Sequence, residues 1–308
     1  MKLPELGSTR DRLVALLWLG PIGILFAAAL VLLANIVRDV PAVTAFIEQY
    51  PGKSALPEGA PVGFPVWLQV QHFLNSFFLV LIVRTGWQIR TAGRPPMRWQ
   101  RTNTGFIRTA NPPTKMSIYA WFHLSLDVFW VVNGMVFLML IFTTGQWMRI
   151  VPVSWDVFPH ALSVAIQYAS LEWPTENSWV NYNALQLLTY FATVFIAAPL
   201  AIITGIRMSP AWSIRFRRFD RLFPLKAAKA IHFPVMLYFV GFTIVHVALV
   251  LATGALRNLN HMYGVGDVEN WVGFAIFAAS IVVMIAAWLL ARPSVLKPIA
   301  SLTGTVSR

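Results

Sequence analysis

Long uncharged runs dominate the pattern of apolar and polar positions along this 308-residue chain. About 20 apolar residues in a helix cross a hydrocarbon core of roughly 30 Å, and a helix satisfies its own backbone groups in lipid. Six runs meet that length. They are Leu13–Val37, with Pro21 inside it; Phe64–Val83; Ser117–Phe142, interrupted by Asp127; Ala184–Ile206, where Pro199 predicts a kink; Ala230–Ala252; and Trp271–Ala291. The expected fold is an all-α integral membrane protein, a single membrane domain over residues 1–308. The first run is too long for a removable signal peptide and lacks a small-residue cleavage site. No repeat of fixed period and no soluble domain is apparent. Between the third and fourth runs, Phe158, Leu162, Ile166 and Ala169 recur at helical spacing, which predicts a short amphipathic helix lying on the membrane surface. Trp147, Trp155, Trp173 and Trp179 in the same segment suit interfacial anchoring.

Composition agrees: 57% of residues are hydrophobic and 12% charged, against about 25% charged in a soluble domain. The formal net charge of +12 would by itself suggest nucleic acid or anionic lipid. Placing the charges changes that meaning. Lys2, Arg10 and Arg12 precede the first span. Arg84, Arg90, Arg94, Arg98, Arg101, Arg108 and Lys115 follow the second. Arg207, Arg215, Arg217, Arg218, Arg221, Lys226 and Lys229 follow the fourth, and Arg292, Lys297 and Arg308 follow the sixth. These segments share one side, with 20 basic residues against 4 on the other: Arg38, Lys53, Arg149 and Arg257. The positive-inside rule then places both termini in the cytoplasm. No basic soluble domain is left to carry nucleic acid, which is not an expected partner.

The chain has no cysteine, so disulfides, thiolate-bound zinc and the usual iron–sulfur clusters are excluded. Metal or cofactor chemistry must use other ligands, and four of the six histidines lie inside apolar spans. These are His72 in span two, His123 in span three, and His232 and His246 in span five. Ionisable groups in spans are costly and tend to be functional. His232 and His246 are 14 residues apart, nearly four full turns, so one helix face presents both, roughly 21 Å apart along its axis. That spacing suits two haems stacked across a bilayer, each needing two axial ligands. Depth selects the partners: His123 with His232 towards the cytoplasmic side, His72 with His246 towards the outer side.

The pattern resembles the bacterial di-haem cytochrome b family, which includes the b-type cytochrome of nickel-iron hydrogenase, the formate dehydrogenase gamma subunit and the thiosulfate reductase cytochrome b subunit. The resemblance rests on His232-Phe-Pro-Val and Ile-Val-His246 in one helix, with single histidines in two preceding helices, and covers about residues 64–252. It implies a four-helix di-haem bundle made by spans two to five, flanked by spans one and six. It also implies two haem b groups on iron ligands His72, His123, His232 and His246, in a bacterial inner membrane. Electrons would pass between a quinone pool and a partner oxidoreductase subunit, a molybdopterin enzyme among the partners expected. The extra span before the first His-bearing helix departs from the family and inverts the four-helix core relative to members that lack it.

Asp127 lies four residues after His123, on the same helix face. It is a candidate for ordering a ligand or relaying a proton at a quinone site, or an acid paired near the end of the span. His261, in Asn258-Leu-Asn-His-Met-Tyr-Gly264, and His160 are candidates for proton exchange with quinone, or ordinary loop residues. Gly86, Gly134, Gly205 and Gly241 either let helices approach closely or make room for a flat macrocycle. Two further readings stay open. One is a self-contained oxidoreductase acting on quinol or superoxide, and the other is a haem-free transporter or scaffold.

Overall fold

The computed structural model describes residues 9–104, 108–110, 112–173, 177–210, 212, 217–264 and 266–308. Among the charges assigned above, Lys2 and Arg215 lie outside them. Among the described residues, six helices are long and apolar enough to cross a membrane: Gly20–Arg38, Val66–Thr91, Ile118–Thr143, Ala184–Met208, Leu225–Ala252 and Val272–Leu290. The protein is therefore an all-α membrane protein with six candidate spans, as the hydropathy predicts. The helices outlast the apolar runs where their ends stay polar. Span two continues through Arg84 and Arg90 to Thr91, and span five starts at Leu225 after Pro224. Few side chains of the spans are buried, as expected where the surroundings are lipid rather than water.

The chain divides into two compact units. The first holds residues 1–58, 151–177 and 181–189. In it, the helix Val157–Ala169 appears where the periodicity predicts. Its buried side is Val157, His160, Ala161 and Val164, so Phe158 and Leu162 point away from the unit as an apolar stripe. A loop closes onto this helix: the Ser54 hydroxyl donates to the Asp156 carboxylate at 2.9 Å, and the Asn181 side chain donates to the Ser54 carbonyl.

The second unit holds residues 59–150, 178–180 and 190–308 and contains spans two, three, five and six, with most of span four. Span four is Ala184–Phe191, a π-helical turn at Ala192–Ala197, and Ala198–Met208. Pro199 sits directly after the wide turn. A proline has no N–H to give, so the expected disturbance is absorbed by the π-turn just before it.

A feature that the hydropathy pattern does not reveal caps the basic end of this unit. Strands β1 (Arg98–Arg101), β2 (Met116–Ser117) and β3 (Gly304–Ser307) form a small antiparallel sheet in the order β2-β1-β3. It joins the loop after span two to the C-terminal tail. Trp99 anchors it, packing with Ile118, Leu296 and Ala300 and donating its indole N–H to the Ala300 carbonyl at 3.0 Å. Gly304 allows the close pairing, because a Cβ there would stand 2.3 Å from the Gln100 carbonyl oxygen and 2.4 Å from the Trp99 ring nitrogen. Gly304→Val is expected to detach β3 at a cost of about 1–3 kcal/mol, the usual range for overpacking. The check is faster proteolysis of the C-terminal tail and a lower Tm in detergent.

Candidate functional site

Span five, Leu225–Ala252, carries His232 and His246 on one face despite Pro234 inside it. The structure brings each beside the histidine that its depth predicts. The His72 and His246 ring centroids are 6.3 Å apart with planes at 55°, and those of His123 and His232 are 6.5 Å apart at 72°. A metal ion about 2.0–2.1 Å from one nitrogen of each of two imidazoles separates the ring centroids by about 6.3 Å. Both gaps therefore have the width of a single shared ion.

The two pairs have different surroundings. At the basic end, His123 Nδ1 meets the Thr85 hydroxyl at 2.8 Å, and His232 Nδ1 meets the Thr204 hydroxyl at 2.8 Å. Both threonines are fully buried. Thr85 Oγ1 donates back to the Leu81 and Ile82 carbonyls of its own helix, and Thr204 Oγ1 to those of Leu200 and Ala201. With a carbonyl of its own helix in reach of its one proton, each hydroxyl is set to accept from the ring. The arrangement suits an Nδ1–H tautomer with Nε2 as the lone-pair nitrogen, and a backbone carbonyl, Ile82 for His123 and Ala201 for His232, stands as a second acceptor for each ring. A glycine follows each threonine: a Cβ on Gly86 would lie 3.4 Å from the His123 ring, and one on Gly205 3.7 Å from that of His232. Gly134 and Gly241, by contrast, have open space where a Cβ would point.

At the opposite, acidic end, whose loop before the sixth span carries Asp267 and Glu269, the neighbours are aromatic. Phe242 stacks on His246 at 5.4 Å and 11°, while Tyr190 meets it edge-on at 6.0 Å. Tyr263 meets His72 edge-on at 5.8 Å. His72 Nδ1 is buried without a hydrogen-bond partner among the described residues, as are Gln71 Oε1 and Asn133 Nδ2. Unsatisfied buried polar atoms are rare in native folds and call for a group that would satisfy or offset them.

Between the two levels lies an apolar layer. Ala197, Val235 and Phe239 are buried with Leu79 and Trp130 against them, and Trp130 meets Phe239 edge-on at 6.2 Å. Leu79 is seven residues after His72, Trp130 seven after His123, and Phe239 midway between His232 and His246. On span four Tyr190, Ala197 and Thr204 keep the same step. Seven residues are nearly two turns, so each helix puts one face through all three layers.

Asp127 also lies where the i, i+4 spacing puts it, with a carboxylate oxygen 3.7 Å from His123 Nε2. That distance is too long for a hydrogen bond but close enough to bias the ring electrostatically.

One curated relative matches this chain. Over 198 residues it is 28% identical to the protein named "Putative protein-methionine-sulfoxide reductase subunit YedZ1" from Azospira oryzae, a match that takes in 60% of this chain and 88% of that protein. No known family profile matches, and no solved structure does. The likeness supports a bacterial multi-pass membrane protein related to a reductase subunit. It does not extend to the specific hydrogenase and formate dehydrogenase group that the histidine pattern resembles.

The other two histidines have defined partners. His160 is in the first unit, where its Nδ1 accepts the Gly52 N–H at 3.1 Å and its ring stands edge-on to Tyr50 at 5.5 Å. His261, in the helix Ala255–Tyr263 of the second unit, is buried between Phe64 and Trp179. Its Nε2 lies 2.8 Å from Asp267 Oδ1 and its Nδ1 3.1 Å from the Ser178 hydroxyl. Arg257 holds the same Asp267 with two hydrogen bonds, at 2.6 and 2.9 Å. Arg149 is buried over the Phe64 ring and donates to the Gly63 and Ser178 carbonyls. Sequence counting treats Arg149 and Arg257 only as outer cations; the structure makes them the ties that hold the acidic-end loops.

Burial lowers the His261 pKa from the ordinary 6.5, and the Asp267 hydrogen bond opposes that shift in part. The unfolded chain therefore binds the proton more readily. The stability that neutral His261 contributes is present above pH 6.5 and is lost as pH falls below it, towards the lowered folded value. His261→Asn is expected to flatten this loss, read as a smaller drop in Tm between pH 7.5 and 5 than the parent protein shows.

Proposed function

We propose that this chain is a membrane cytochrome b subunit holding two b-type haems, one between His123 and His232 and one between His72 and His246. It moves electrons between the quinone pool and a partner oxidoreductase subunit. The carrying observation is the pair of facing histidines repeated at two levels, each with ring centroids set for one shared metal ion. Hydroxyls set against Nδ1 of two rings, the open space at Gly134 and Gly241, and the His72 Nδ1 without a partner among the described residues all suit a macrocycle held by imidazoles. When bound, a haem supplies one-electron redox chemistry.

The residues of the chain do the remaining work. Four imidazoles fix position, Thr85 and Thr204 orient two of them, and the Trp130–Phe239 layer keeps water from the space between the levels. Asp127 stands beside His123 at the basic end, where it is placed to hold a proton for a quinone bound there. His261, fully engaged by Asp267 and Ser178, serves better as a structural tie than as a relay. The name of the relative, a reductase subunit, favours a partner-dependent protein over a self-contained oxidoreductase. If the likeness extends to the partner, that partner reduces methionine sulfoxide in proteins.

The test is a pyridine haemochrome spectrum with haem-to-protein stoichiometry on the purified full chain. A ratio near two is expected; no b-type absorbance would sink the proposal, and a ratio near one would make one histidine pair structural. His232→Ala with His246→Ala should abolish both haems. Both termini lie in the cytoplasm in this reading, which the charge asymmetry supports; reporter fusions at each end that are active only in a cytoplasmic location check it.

A further inference from the structure

Among the described residues, the basic-end histidine pair is tied to buried hydroxyls and the acidic-end pair is not. Spans two and four each carry a Thr-Gly dipeptide, Thr85-Gly86 and Thr204-Gly205, at the level of a histidine on the next helix. In both, the hydroxyl bonds carbonyls of its own helix and lies 2.8 Å from Nδ1 of the neighbouring ring, while the adjacent glycine lets that ring approach. The same local device thus occurs twice around one histidine pair. Among the described residues no hydroxyl or carboxylate holds His72 Nδ1 at the other level, and its ring is flanked by Tyr263 and His246.

We infer that Thr85 and Thr204 are positioning residues that set the redox potential of the His123–His232 centre alone. This rests on the haem-binding reading above. The reasoning is electronic as well as steric. A ring whose Nδ1–H is given to an acceptor becomes a more basic donor through Nε2. A more electron-rich ligand stabilises ferric over ferrous iron and lowers the potential of that centre. Each hydroxyl can accept because a backbone carbonyl of its own helix lies in reach of its proton. Valine has the shape of threonine without the hydroxyl, and leaves each ring only its backbone carbonyl partner, Ile82 for His123 and Ala201 for His232.

The experiment is redox potentiometry with electron paramagnetic resonance on the purified full chain and on Thr85→Val, Thr204→Val, Thr85→Ser and Thr204→Ser. Wild-type protein without haem would remove the functional reading and this inference together. With haem present, each valine variant should raise the potential of one centre and change its ferric g values. A change of about tenfold in the ferric preference corresponds to about 59 mV for a one-electron couple. Both valine variants should move the same centre, the one that His123→Ala removes, and the serine variants should restore the parent values. Haem loss in the valine variants with retention in the serine variants would also support the hydroxyl role. Unchanged potentials in haem-loaded valine variants, equal shifts of both centres, or serine variants that behave like valine would overturn the inference while leaving the haem reading intact.

Discussion

A neutral imidazole in an apolar bundle has one nitrogen that must donate and one that must accept, and lipid offers neither a partner nor a solvent. This requirement orders the second unit of the protein. His123 and His232 meet half of it through Thr85 and Thr204, whose hydroxyls are themselves satisfied by their own helices. The other nitrogen of each ring is then left for whatever stands between the pair. Buried polar groups left unpaired cost about 1–3 kcal/mol each. The His72 level, where Nδ1 has no partner among the described residues, therefore carries a cost that the fold alone does not offset. Such debts are found where a site is shaped for something other than its own stability.

The layered arrangement follows from helix geometry. A step of seven residues returns a side chain to nearly the same face while advancing it about 10 Å. His72 and Leu79, His123 and Trp130, His232, Phe239 and His246, and Tyr190, Ala197 and Thr204 all use that step. Each helix contributes one residue per level, and levels of like chemistry form without any long-range pairing. Trp130 and Phe239 then fill the middle with ring surface instead of polar groups. A bundle built this way keeps its two polar levels separate, because a side chain from one cannot reach the other.

Much of this was legible in the sequence, for reasons of length and period. Twenty uncharged residues admit few readings other than a span, and the depth of a histidine within a span follows by counting. The pairing of His123 with His232 and of His72 with His246 needed only that arithmetic, and the rings do lie together in those pairs. The helix at Val157–Ala169 was likewise readable from its period. The threonines were harder to see, since a hydroxyl in a membrane helix usually bonds its own backbone and carries no pattern. Their signal was the Thr-Gly dipeptide, repeated on two helices at the level of two histidines. The β1-β2-β3 sheet was invisible because β1 and β3 are four residues each and lie some 200 positions apart in the chain.

The charged residues show how far counting reaches and where contacts take over. Signs and positions give a side to each loop, yet they cannot separate a solvated cation from a structural one. Arg149 illustrates the difference. It counts as one of four basic residues on the acidic side, but it is buried and donates to the Gly63 and Ser178 carbonyls. A buried guanidinium is tolerable only with several acceptors and a polarisable surface, here the Phe64 ring at 4.6 Å. Arg257 is held by Asp267, which also fixes His261. The acidic end is thus tied by charges directed inward, and the histidine most open to a proton-relay reading on sequence grounds is engaged at both of its nitrogens. Under the proposed function, proton exchange is better sought at the end where Asp127 stands beside His123, because that carboxylate makes no hydrogen bond to the ring and its side chain remains partly exposed.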